Sequence, residues 1–221
     1  MEHPIPEFQY ELVPVRGSDI ISTFLKLRAE ERGNLTPVLL DSPEKYFLDA
    51  DAFAGLHEEL PDVFAAAGQI SIPEFLAQRR AANPELFEEL ENGEWPAMPH
   101  KFDPSLPDDG FIAKVLTPNS FEALAHIGFG GWNDCPTDEE HVAILKWWFE
   151  RYGAELFAIG GDTIECTVER PPATREDAIV LAREHLAYSP GTLNEFSITP
   201  ASVPALAAAL LNSKHWLFWW D

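Results

Sequence analysis

The sequence predicts an α/β or α+β fold, with a mixed β-sheet holding a hairpin and a C-terminal tryptophan-rich strand, packed by helices. Three stretches point to it. Residues 154–159 and 163–169 flank Gly160-Gly161-Asp162, a turn suited to a hairpin because glycine tolerates positive φ. Thr137 and Glu140 form a Thr-x-x-Glu capping box ahead of a helix whose face carries Val142, Leu145, Phe149 and Tyr152, and which Gly153 closes. The ending His215-Trp216-Leu217-Phe218-Trp219-Trp220-Asp221 alternates between two apolar faces, the pattern of a strand covered on both sides.

Residues 10–15 read as a first strand. Ser18 offers an N-cap for a helix with Ile20, Ile21, Phe24, Leu25 and Leu27 at helical spacing, and Gly33 ends it. Pro37-Val38-Leu39-Leu40, between Thr36 and Asp41, reads as a buried strand. If the two strands run parallel in one sheet, the connection is a right-handed crossover. Residues 42–94 are helical and acidic, with Pro61, Pro73 and Pro84 dividing them into pieces. Glu85, Glu88, Glu89, Glu91 and Glu94 read as a solvated helix face, with Leu86, Phe87 and Leu90 on the packed side. Residues 95–110, with Pro96, Pro99, Pro104 and Pro107, read as a linker or a long surface loop. The chain thus divides into 1–94, a connection at 95–110, and an α/β domain at 111–221.

Within that last part, residues 112–116 read as a strand and 120–126 as a short helix. In the second hairpin strand Ile164, Cys166 and Val168 face the core, while Thr163, Glu165, Thr167 and Glu169 face water. Arg170-Pro171-Pro172 stops the strand, Thr174 with Asp177 caps a helix running to about residue 187, and a last helix spans about 203–211. Trp147, Trp148, Trp216, Trp219 and Trp220 read as core aromatics.

With 37 acidic and 15 basic side chains the formal net charge is -22, which repels phosphate backbones and anionic headgroups. Nucleic acid and membrane partners are therefore not expected, whereas a basic protein partner is compatible with this charge. Met1-Glu2-His3-Pro4 carries no signal sequence, and no apolar run reaches the ~18 residues of a membrane span. Two cysteines, Cys135 and Cys166, form neither a disulfide framework nor a CxxC pair, which fits a reducing cytoplasm.

The chemistry concentrates in Gly130-Gly131-Trp132-Asn133-Asp134-Cys135-Pro136, a loop whose Gly, Asn and Asp accept unusual backbone and so aim their neighbours. Cys135 precedes the capped helix, whose positive end favours a thiolate, so it is the candidate nucleophile. His126 and His141 are candidate bases, with Asp134 to orient one of them. The opposing reading makes Cys135 a small packed residue, with Asn133 and Asp134 bonding backbone amides. Trp132 and Asn133 are candidate binding residues in the same loop. Arg170, at a strand end, can fork onto a carboxylate, either the C-terminal Asp221 or an anionic ligand. Cys135, Asp138, His141 and His126 have ligand-type side chains without a recognised metal spacing, and Gly128-Phe129-Gly130-Gly131 lacks a phosphate-loop ending, so neither metal nor cofactor is expected.

Gly131-Trp132-Asn133-Asp134-Cys135-Pro136, Glu169-Arg170-Pro171-Pro172 and Trp216-Leu217-Phe218-Trp219-Trp220-Asp221 occur here in that order. With them the chain resembles the bacterial family known as domain of unknown function 4253, from about residue 110 to the C-terminus. Thr36-Pro37-Val38-Leu39-Leu40 is similar to an N-terminal portion of longer members. The resemblance implies a bacterial protein and no particular activity. Where many members carry a cysteine before a proline, this chain has Tyr188-Ser189-Pro190-Gly191. The charge and the incomplete catalytic set lead to the expectation of a non-catalytic, cytoplasmic protein-binding module for a basic partner, immunity-like by analogy. The alternative is a cysteine-dependent hydrolase or transferase using Cys135.

Overall fold

Residues Leu12–Arg16 (β1), Thr36–Leu40 (β2), Asp109–Val115 (β3), Ala154–Ile159 (β4), Thr163–Val168 (β5) and His215–Trp219 (β6) form one sheet in the computed structural model, ordered β1-β3-β2-β4-β5-β6. The structure describes residues 8, 10–40, 50–195, 198, 199 and 201–221, without the side chains of 50–58. Met1 to Pro4, and the stretch 41–49 that opens the predicted helical middle, lie outside these residues. All pairings are antiparallel except β2 with β4, so the sheet is mixed. Because β1 and β2 both pair antiparallel with β3, they run parallel to each other with β3 between them. Strands from both sides of the Pro-rich segment therefore share one sheet.

Helices Ile20–Glu30 (α1), Ala50–Ala67 (α2), Ile72–Ala82 (α3), Pro84–Glu91 (α4), Ala123–Ile127 (α5), Asp138–Tyr152 (α6), Arg175–Tyr188 (α7), Thr192–Glu195 (α8) and Val203–Leu210 (α9) complete the chain. The larger core lies between the sheet and α5, α6, α7 and α9, with α2 to α4 forming an outer layer against α6, α7 and α9. The opposite face is covered at one end by α1, where Phe24 meets Phe157 edge-on at 4.8 Å. At the centre of the larger core Trp148 stacks on Phe218, with ring centroids 5.2 Å apart and planes within 6°. Trp216, His185 and Tyr188 stand against Trp148 at 4.8 to 5.9 Å.

Several expectations need correction. Asp19, not Ser18, is the N-cap of α1, and Ser18 Oγ donates to the Asp19 carboxylate. Pro61 lies inside α2 rather than dividing it, while Pro73 and Pro84 begin α3 and α4, where a missing N–H costs nothing. The third strand starts at Asp109 and ends at Val115; Leu116 is 71% exposed. The hairpin forms between β4 and β5, but neither Gly160 nor Gly161 has positive φ. A Cβ at Gly160 would run into the Thr163 hydroxyl, so that side chain would have to turn away. The outward face of β5 is not uniformly wet, because Glu165 is 4% exposed and pairs with His215.

The caps predicted at Thr137 and Thr174 form. Glu140 accepts the Thr137 N–H at 3.0 Å, and Thr174 Oγ1 accepts from Asp177 N–H at 3.2 Å. At the β6 edge, Trp219 N–H donates to Ser189 Oγ and Thr192 Oγ1 at 3.1 and 3.2 Å, and Ser189 Oγ donates to Trp219 O at 2.7 Å.

Phe218→Ala removes one side of the Trp148 stack, and the expected loss of unfolding free energy in denaturant titration is about 3–5 kcal/mol. A loss below ~1 kcal/mol would mean the stack is not central to the core.

Candidate functional site

Residues 128–137 turn sharply, and Gly130 shows why. Its φ is +119°, and a Cβ would run into Pro136 O and stand 2.7 Å from His141 Nε2. Gly131 N–H donates to Pro136 O at 2.9 Å and Cys135 N–H to Trp132 O at 2.8 Å, closing the loop on itself. This delivers Cys135 against the first turn of α6. Its Sγ lies 3.5 Å from His141 Nε2, and His141 Nδ1 lies 2.6 Å from the Tyr188 hydroxyl at the end of α7. Phe129 and Trp220 flank the imidazole at 5.8 and 5.5 Å.

The surrounding bonds lock this relay to two other parts of the chain, helix α3 and the C-terminal end. Arg79, from α3, donates through Nε to Ala187 O at 2.6 Å and through Nη2 to Asp134 O at 2.5 Å and Tyr188 O at 3.2 Å. Trp220 Nε1 donates to the same Tyr188 O at 3.2 Å. Asn133 Nδ2 donates to the backbone O of Asp221 at 2.5 Å, tying the loop to the C-terminal end.

Burial decides the protonation states. The Cys135 thiol is pushed up to about 12, first by desolvation and then by the Asp134 carboxylate, with the Arg79 charge opposing. His141 is held down at about 3 by its complete burial and by Arg79. Burial also raises Tyr188. The relay therefore rests as thiol, neutral imidazole and phenol. Two neutral arrangements satisfy it: Nδ1–H donates to the Tyr188 oxygen while Nε2 accepts the thiol proton, or the Tyr188 O–H donates to Nδ1 while Nε2–H meets sulfur. In the first, Nε2 is placed as a general base toward Cys135.

The profile described as Domain of unknown function (DUF4253) matches residues 111–221. The chain belongs to this family. No curated protein and no solved structure matches it. The DUF4253 match includes Cys135, His141 and Tyr188, whereas Arg79 and helices α1 to α4 precede it.

Of the predicted catalytic residues, Cys135 and His141 come together. His126 does not join them; its Nδ1 is 2.7 Å from the Tyr10 hydroxyl and its ring lies beside Phe64. Asp134 does not orient either imidazole: its backbone O is held by Arg79, and Tyr188 takes the orienting position. Trp132 packs edge-on to Phe129 at 4.8 Å. Arg170 does not reach Asp221; it pairs with Glu169 at 2.8 Å and caps the Phe149 and Glu150 carbonyls of α6, as suits a cation at a helix C-terminus. Among the described residues no group of three or more His, Cys, Asp and Glu converges to hold a metal ion. No helix among them is long and apolar enough to cross a membrane. The sequence reading missed Arg79 and Tyr188, whose contacts reach 109 and 47 residues along the chain.

His141 at about 3, against an ordinary 6.5, means the unfolded chain binds more protons between those values. Its contribution to stability is therefore complete above about 6.5 and is lost as the pH falls toward 3. Asp138, raised to about 7 chiefly by burial, works in the opposite sense, its contribution being lost as the pH rises through 7. In histidine-resolved NMR, the His141 ring is expected to stay neutral down to about pH 4. A midpoint near 6.5 would show the relay to be open to water.

Proposed function

We propose that this chain is a protein-binding module of the bacterial cytoplasm that takes a basic protein partner on its outer helical layer. The supporting observation is the charge of that layer. Residues 59–94 carry eight acidic side chains and two basic ones, and Arg79 is turned inward to backbone carbonyls. Glu91 pairs with Arg183, but Glu59, Asp62, Glu74, Glu85, Glu88, Glu89 and Glu94 are exposed and without an ion pair among the described residues. Such a face accelerates encounter with a basic surface and repels acidic ones. An immunity-like role against a basic toxin is one form of this reading, by analogy of charge alone.

The test is association kinetics with a basic partner captured on the intact chain at low ionic strength. Replacing Glu85, Glu88 and Glu89 together by lysine is expected to slow association by about tenfold or more and to flatten its salt dependence. An unchanged rate would overturn the proposal.

The 3.5 Å contact between Cys135 Sγ and His141 Nε2 favours a second reading, a cysteine-dependent hydrolase or transferase. Against it stand the 5% exposure of Cys135 and its raised thiol, the marks of an inert buried cysteine. Alkylation of the Cys166→Ser variant against pH separates the two. Slow modification, titrating well above the usual ~8.5, is expected. A thiolate already formed below that value would replace the binding reading with the catalytic one.

A further inference from the structure

Where the turn after α9 leads into β6, the Pro-rich segment borders a cavity of about 490 Å³ whose wall is completed by Ala208 and Ala209 of α9, Thr167 of β5 and His215 of β6. We infer that this cavity is a binding site for a small organic anion with an apolar body, such as a monocarboxylate, whose charged group meets His215, Lys214 and Lys101. The inference is independent of the helical layer and of Cys135.

His215 carries the argument. It lies at the start of β6, is 5% exposed and lines the cavity. Its Nε2 is 2.6 Å from Glu165 Oε2 on the neighbouring strand. Glu165 is itself buried and accepts the Ser105 N–H at 3.2 Å, so the segment that borders the cavity also fixes the carboxylate. The other ring nitrogen, Nδ1, has no hydrogen-bond partner among the described residues and keeps some solvent access. With Nε2–H committed to Glu165, the ring offers Nδ1–H as a second donor, in a fixed direction, when it carries its second proton.

The charge around it selects the ligand. Lys101 and Lys214 line the cavity against one carboxylate, Asp103, in a chain whose formal net charge is -22. Lys214 Nζ donates to the Glu169 carbonyl, and among the described residues its other two N–H groups have no partner. An adjoining cavity shares Lys214 and Thr167 and adds Arg28 from α1, Arg32 just beyond it and the Glu169 carboxylate. Arg28 pairs with Glu155, and Arg32 has no ion pair among the described residues. Phe102, Pro99 and Leu211 supply apolar wall, so a fully hydrated ion does not fill the space well. The carboxylate of a monocarboxylate accepts from Nδ1–H and the lysines while its body rests on Phe102.

The probe is benzoate added to the intact protein, followed at the His215 ring and neighbouring amides by NMR, with neutral benzamide as its isostere. Benzoate is expected to shift these resonances to saturation, and to bind about tenfold more tightly than benzamide. Lys101→Gln with Lys214→Gln, both exposed and harmless to packing, is expected to weaken benzoate by about tenfold and to leave benzamide unchanged. His215→Gln is expected to do the same. Should that variant fail to fold with Glu165 unpaired, the lysine pair decides alone. No shift with benzoate, equal binding of benzamide, or indifference to the lysine substitutions would each overturn the inference.

Discussion

Trp148 stacked on Phe218 is one end of a seam that organises the molecule. Along α6, His141 and Trp148 are seven residues, or two turns, apart and so share a stripe. Along α7, His185 and Tyr188 are three apart and share another. On β6 and just beyond it, Phe218 and Trp220 are two apart and face the same side. The three periodicities come into step: Trp148, His185 and Phe218 meet at one end of the seam, and His141, Tyr188 and Trp220 at the other. The position of His141 beside Cys135 is therefore a consequence of how two helices lie on the last strand, with the aromatic packing setting the distances.

The same packing fixes the chemistry of the relay. A seam dry enough to stack indole on phenyl is too dry for a thiolate or an imidazolium, and both Cys135 and His141 shift toward their neutral forms. Arg79 is the nearby exception, a guanidinium whose fork is spent on three backbone carbonyls. It joins the acidic helices that precede the DUF4253 match to the loop and helix end within it. Its charge favours an ionised thiol and disfavours an ionised imidazole, so it does not stabilise an ion pair between them as a whole.

What was legible in the sequence was local. The hairpin, the capping box at Thr137 and Glu140, and the buried ending of the chain each declare themselves within a few residues, and each is present. Cys135 and His141 are only six apart, so a loop feeding a helix is enough to place them side by side. Tyr188, Arg79 and the Glu165–His215 pair were not legible, since each contact depends on how distant elements dock. Glu165 misled for a definite reason. Strict alternation places it on the outward face, where the His215 ring and the Ser105 N–H of the Pro-rich segment meet its carboxylate. Pro61 misled for another, because a helix held by tertiary packing tolerates an interior proline that propensity forbids.

The hydroxyls of Ser189 and Thr192 at Trp219 bear on how this protein can be approached by another chain. A sheet edge ordinarily offers its outward N–H and C=O groups as a template for one more strand. Here, at Trp219, two side chains occupy the places a seventh strand would take, and at the opposite edge Pro14 withholds a donor. Strand addition, whether by a partner segment or by a second copy, is thus discouraged at both rims. Recognition is left to faces and side chains, where charge and shape discriminate among partners in a way that backbone pairing does not.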